Sequence, residues 1–237
     1  MGEQRSEWLC WDDSMTKQCQ GETLVVDPPP GLVSSLQAAR VQVIVVGRRP
    51  VAAEMNERDA RHLELTAPIV EPWPVATATC DTVLVIDALA HLIDDRYELS
   101  EAARVLRPGG TLIVRVPYRG VLAWLDPANA YRYISDATRR GPNPPETRGI
   151  GWRRHYGRRE LVGLIEEVGF APRQVLGTGI GFSAAIDLLL MLLLRWLLPW
   201  ERLYRATGPM IARLERAEAR LAVGPVGYWL SIRAHRR

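Results

Sequence analysis

Lysine is all but missing from this chain: Lys17 stands alone among 30 basic residues, and every other positive charge is an arginine. Codon bias produces that pattern, and arginine also suits phosphates and anionic headgroups. Cysteine is scarce as well. Cys10, Cys19 and Cys80 show no paired metal-ligand spacing, so no metal site is expected, and their odd number argues against a disulfide framework. A reducing, cytoplasmic setting is the expectation. Residues 1–14 contain no apolar core of the kind a secretory signal needs. Excess charge is absent too, since a net +3 is too small to argue for a nucleic-acid partner. Finally, there is no clean membrane span. The most apolar stretch, residues 184–200, is interrupted by Asp187, Arg195 and Pro199.

What is present describes a folded globular chain. Its 237 residues are 47% hydrophobic and 24% charged, enough for one full core. Residues 1–20 read as a loose N-terminal lead and 21–237 as one domain. Within it, 118–157 reads as a lid or acceptor region rich in Pro, Gly and Arg, and 180–223 as an apolar helical insertion. Residues 80–117 organise the rest. Thr82-Val83-Leu84-Val85-Ile86 is an apolar run without polar alternation, as in a strand buried on both faces, and it ends at Asp87. Helical spacing follows over 98–106, Pro108-Gly109-Gly110 stops it, and residues 111–116 form a second β-branched strand. Two buried strands joined by such a helix make a right-handed parallel unit. Further strands are read at 23–26, 41–46, 62–65, 173–176 and 227–234, with helices at 31–39, 51–61, 159–168 and 201–221.

Asp81-x5-Asp87-x3-His91, followed by Glu101-x2-Arg104-Val105-Leu106-Arg107-Pro108-Gly109-Gly110, resembles the fourth and fifth strands of class I S-adenosylmethionine-dependent methyltransferases. The nearest likeness is to the broad group acting on small molecules, lipids and sugars. Arg154-His155-Tyr156 before a helix, Gly169-Phe170 after it, and Leu125-Asp126-Pro127-x-Asn129 resemble the same group. The resemblance implies a doubly wound, mostly parallel, seven-stranded Rossmann-like sheet with the helical insertion before its last strand. It implies S-adenosylmethionine as cofactor, held by Asp27, Gly31, Gly47, Glu71, Trp73 and Asp87. On the acceptor side it implies catalytic candidates at Asp87, His91, His155 and Tyr156. His91 reads either as a base or as a structural hydrogen-bonding group. His155 and Tyr156 either close over the acceptor or pack at the start of a helix. Glu71 and Trp73 either approach the adenine or form a plain surface loop.

The cofactor side departs from the family pattern. Pro28, Pro29 and Pro30 stand where flexible glycines usually offer backbone donors, and proline has no N–H. Arg48 and Arg49 follow Gly47 where the family places a ribose-binding acid, and arginine only donates. The expected function is therefore methyl transfer to a small-molecule, lipid-linked or glycan acceptor. The alternative is a catalytically silent relative acting as a binding or scaffold subunit at the membrane. The insertion leaves three partners open. Trp196 and Trp200 beside arginines suit the inner face of a membrane, while a hairpin over the lid and a homo-oligomer interface through 184–221 fit the same pattern.

Overall fold

The computed structural model describes residues 19, 21–28, 32–47, 60–64, 72–92, 94–127, 129, 130, 133, 153–198, 200–219, 221 and 223–237. Gly31, Glu71, Pro29, Pro30, Arg48, Arg49, residues 51–59 of the helix expected at 51–61 and residues 139–151 of the expected lid lie outside them. Unbroken β-branched runs become the central strands β1 (Glu22–Val26), β2 (Gln42–Gly47) and β4 (Cys80–Ile86). To these are added β3 (Ala60–Glu64), β5 (Leu106–Pro117), β6 (Phe170–Thr178) and β7 (Trp229–Arg236). The described strands form one sheet in the order β3-β2-β1-β4-β5-β7-β6. The β3-β2-β1-β4-β5 neighbours are parallel, and β7 runs antiparallel between β5 and β6. This is the mixed, mostly parallel Rossmann-like architecture expected. Chain order reverses between β1 and β4, and ligands of doubly wound sheets bind outside the carboxyl ends of strands at such a switch point.

Boundaries shift where local chemistry was misread. The helix after β4, α2 (Asp95–Val105), starts three residues before Glu98 because Asp94 caps it, its Oδ1 accepting the Tyr97 N–H at 3.0 Å. Pro108-Gly109-Gly110 is not a turn before β5 but part of that strand, with Gly109 at φ +78°. The third strand begins at Ala60, two residues before the expected start.

One face of the sheet is closed by α2 and by α3 (Arg158–Glu167). Leu99, Ala102, Val105, Leu161 and Ile165 pack there on Val83, Val85, Leu112, Val114 and Ile232. On the other face, α1 (Leu32–Ala38) covers only part of the sheet, with Leu32, Val33 and Leu36 against Val25, Val43, Val45 and Leu84. The rest of that face lies under the helices between β6 and β7. Helix α4 (Phe182–Leu190) continues as a π-helical stretch, Met191–Leu197, and turns into α5 (Glu201–Ala219).

This hairpin is tied at both ends. Glu218 accepts the Phe182 and Ser183 N–H groups at 2.6 and 3.1 Å, and the Ser183 hydroxyl at 2.6 Å. A carboxylate at a helix N-terminus satisfies orphan donors and complements the helix dipole. At the far end, Arg195 Nε lies 3.0 Å from Glu201, and the Tyr204 hydroxyl donates to Asp187 at 3.0 Å. The return to β7 passes so close to β6 that a Cβ on Gly177 would meet the Gly224 carbonyl at 1.8 Å, so only glycine fits.

Candidate active site

At the switch point, β1 and β4 both leave the sheet through an aspartate in the left-handed region, Asp27 at φ +39° and Asp87 at φ +59°. Non-glycine residues there carry strain, and such strain concentrates at ligand sites. Each is pinned by a backbone bond to the neighbouring strand end: Asp27 N–H to the Val46 carbonyl, and Asp87 N–H to the Arg115 carbonyl, both at 2.8 Å. Asp27 is buried, as are Pro28 beside it and Gly47 at the end of β2. Asp27, Gly47 and Asp87 therefore stand at the carboxyl ends of three adjacent strands.

Beyond Asp87 opens a cavity of about 620 Å³. Ile86, Asp87 and Arg115 form its floor, Tyr228 and Trp229 a wall, and the hairpin its roof through Ser183, Ala184, Pro209, Ile211, Ala212 and Glu215. A charged network runs along its edge. The Arg153 guanidinium bonds the Asp87 carboxylate and lies 3.2 Å from Asp126. It also stacks over Trp229, 5.0 Å from the ring centre, and Arg115 lies over the same ring at 4.2 Å. Asn129 holds the Arg153 backbone with two bonds of 2.8 Å, accepting its N–H and donating to its carbonyl.

Asp126 is 1% exposed, and His155 Nε2 lies 3.2 Å from it. Burial pushes its carboxyl up, but the Arg153 guanidinium and His155 outweigh that and hold it at about 2. Burial pulls Arg153 down, yet Asp87 and Asp126 raise it overall. Arg115 goes the other way: burial lowers it despite Glu215 at 3.0 Å. Burial also raises the Tyr228 phenol. Asp126 and Arg153 are thus a fixed ion pair across the ordinary pH range.

The expected site residues separate into two groups. Asp87 lines the cavity, but its carboxylate is engaged by Arg153 rather than left open as a base. His155 sits at the Asp126 network behind the cavity. Tyr156 does not close over an acceptor: it is buried, and its hydroxyl lies 3.1 Å from both the Leu89 carbonyl and Asp95. Burial raises that phenol. Extended backbone explains the split. Residues 153–156 run beside the end of β5, and side chains alternate. Arg153 and His155 face Asp126, whereas Arg154 and Tyr156 face Leu89 and Asp95. His91 closes a 3₁₀ turn, Leu89–His91, and does not line the cavity. Trp73 is placed as a packing group, 2% exposed, its indole N–H donated to Glu98 and its backbone N–H to Glu101 at 2.9 and 2.7 Å. The sequence reading missed Arg153, Asp126, Arg115, Trp229 and Glu215. Among the described residues, no group of three or more His, Cys, Asp or Glu is arranged for a metal ion.

Residues 15–114 match the family model described as a methyltransferase domain. The fold around those residues carries the same type through to the C-terminus. The fold is that of class I S-adenosylmethionine-dependent methyltransferases. A probable S-adenosylmethionine-dependent methyltransferase of Mycolicibacterium smegmatis is 28% identical over 147 residues, covering 59% of this chain and 50% of that protein. The chain thus spans about half the length of the curated relative it matches. A structure from Thermotoga maritima, described as a possible histamine N-methyltransferase, superposes with TM-score 0.60 at 17% identity, over 98% of this chain and 88% of that one. The Burkholderia thailandensis 1,6-didemethyltoxoflavin-N1-methyltransferase, solved with S-adenosylhomocysteine, gives TM-score 0.55 at 13% identity, over 99% and 77%. At those identities the structures speak for the fold. S-adenosylmethionine is the cofactor named for the Mycolicibacterium relative, and S-adenosylhomocysteine is bound in the Burkholderia structure. The strained, buried Asp27 and the adjacent Gly47 and Asp87 fit such a ligand, while the missing N–H of Pro28 leaves fewer backbone donors for it.

Proposed function

We propose that this protein is an S-adenosylmethionine-dependent methyltransferase whose acceptor occupies the cavity under the α4–α5 hairpin. The observation carrying this reading is that the cavity opens directly on Asp87, at the carboxyl end of β4 and beside the cofactor end of the sheet. Bound there, the cofactor supplies an electrophilic methyl group on a sulfonium. The chain's own task is then alignment and exclusion of water, which transfer of a methyl group chiefly requires. Asp27 and Gly47 would hold the cofactor, and Arg153 fixes the Asp87 carboxylate at the boundary between the two ligands. The mixed lining, with Ile86, Pro127, Ala184 and Ile211 beside Arg115 and Glu215, suits an acceptor with an apolar body and a polar end. A small molecule or a lipid-linked acceptor has that character.

The commitment of Asp87 to Arg153, together with Pro28, favours a second reading: a silent relative that keeps the cavity for binding alone. Calorimetry separates the two. Heat of binding and a raised melting temperature with S-adenosylhomocysteine are expected for the enzyme. No heat and no shift at millimolar ligand would overturn it.

A further inference from the structure

The outer face of the hairpin carries mainly apolar and basic side chains. Phe182, Leu189, Leu193, Trp196, Leu197 and Trp200 follow one another along α4, its π-helical continuation and the turn, all exposed, with Leu189 at 64%, Trp196 at 41% and Trp200 at 56%. On α5, Arg202, Arg205 and Arg213 are exposed at spacings that place them on one stripe, flanked by exposed Leu203 and Met210, while Arg216 borders the cavity. Every glutamate of α5 is engaged by a partner of its own. Glu201 meets Arg195 and Arg205, Glu215 meets Arg115 beneath the helix, and Glu218 caps α4.

We infer that this face docks on an anionic lipid surface. Tryptophans beside an apolar ridge sit at the headgroup level, and arginines alongside meet anionic lipids. The hairpin would lie in the interface, since no helix of the described residues is long and apolar enough to cross a membrane. A second copy of the chain is a poorer occupant. In a two-fold contact the patch meets itself, which would bring one net-positive arginine stripe against another. The inner face of the same hairpin roofs the cavity, so docking would place the cavity next to the lipid. The docking does not rest on methyl transfer and is read without it.

Flotation of the full-length protein tests it, using phosphatidylcholine vesicles with and without phosphatidylglycerol. The protein is expected to float only with the phosphatidylglycerol vesicles, and less as salt rises. Arg202→Glu with Arg213→Glu should weaken binding by roughly tenfold or more, at about 1 kcal/mol for each basic residue near the surface. Trp196→Ser with Trp200→Ser should weaken it comparably, and circular dichroism should show both variants folded because all four positions are exposed. The inference is overturned if the wild type stays in the soluble fraction with phosphatidylglycerol vesicles, or if neither folded variant loses binding. A concentration-dependent dimer that the tryptophan variant disrupts, seen by sedimentation without any vesicle binding, would assign the face to a second copy instead.

Discussion

Leu112 and Arg115 sit three residues apart on β5 and face opposite sides of the sheet. Leu112 is sealed among Val83, Val85, Val114 and the helices α2 and α3, where nearly every contact is aliphatic. Arg115 is equally buried, yet it lies over Trp229, pairs with a glutamate on α5 and borders a cavity. The first face gains stability from burial in proportion to the area removed from water. The second must offset the desolvation of Arg115, Arg153 and Asp126 with ion pairs and stacking, which roughly break even at best. A binding site needs a face that helices do not fill, and this fold leaves one only beyond α1, where the hairpin spans rather than packs. Stability therefore comes from the face without the site.

The largest test of that contrast is Asp126→Ala. It strands Arg153 in a buried position, and breaking such a pair costs about 4 kcal/mol in denaturant unfolding. Replacing both partners with apolar residues, Asp126→Leu with Arg153→Met, should recover much of the loss, because the pair contributes little net stability. Next is Leu112→Ala on the dry face, expected to cost about 3 kcal/mol through lost transfer energy and a residual cavity, with no second substitution that restores it. If the apolar double variant of the network is as unstable as Asp126→Ala alone, the two faces do not differ as described.

The pH dependence comes third. The Asp126 carboxyl is held at about 2 against an ordinary 3.8. A depressed folded value means its contribution is fully present above about pH 4 and is lost as pH falls through 2. At about 1.4 kcal/mol per unit, that is about 2 kcal/mol. Unfolding measured near pH 5 and near pH 2 should show this loss in the wild type and a smaller one in Asp126→Asn. Leu112→Ala should lower stability by the same amount at both.

These contrasts also show what could be read from the residues alone. The central strands were legible because a parallel sheet needs unbroken β-branched runs. Asp87 was legible because it ends one. The start of α2 was not, since Asp94 and Asp95 read as loop until a capping bond distinguishes them. Arg153 was hidden among the many arginines near a Pro- and Gly-rich stretch, and its partner Asp126 is far away in sequence. One signal was available: in an extended segment Arg153 and His155 share a side, and Arg154 and Tyr156 share the other. Taking Arg154-His155-Tyr156 as a block set His155 and Tyr156 in one role where backbone geometry divides them. The cavity had no sequence signal, because its roof and floor come from α5 and β5, far apart in the chain and joined by side chains such as Glu215 and Arg115.

The smallest effect should come from Glu218, and it bears on whether the hairpin is roof or core. Glu218→Ala removes the acceptor from the Phe182 and Ser183 N–H groups and the negative charge from the start of α4. Loss of a cap of this kind costs about 1 kcal/mol. Because the bonds tie α5 to α4 rather than to the sheet, the loss should be local. Hydrogen exchange should accelerate across 182–190 while the amides of β4 and β5 keep their protection, and Glu218→Gln, which still accepts, should fall between the two. Were Glu218→Ala instead to lower global stability as far as Leu112→Ala does, the hairpin would be part of the core. The second face of the sheet would then be packed after all, with the cavity a gap inside it rather than a site held open by a separable roof.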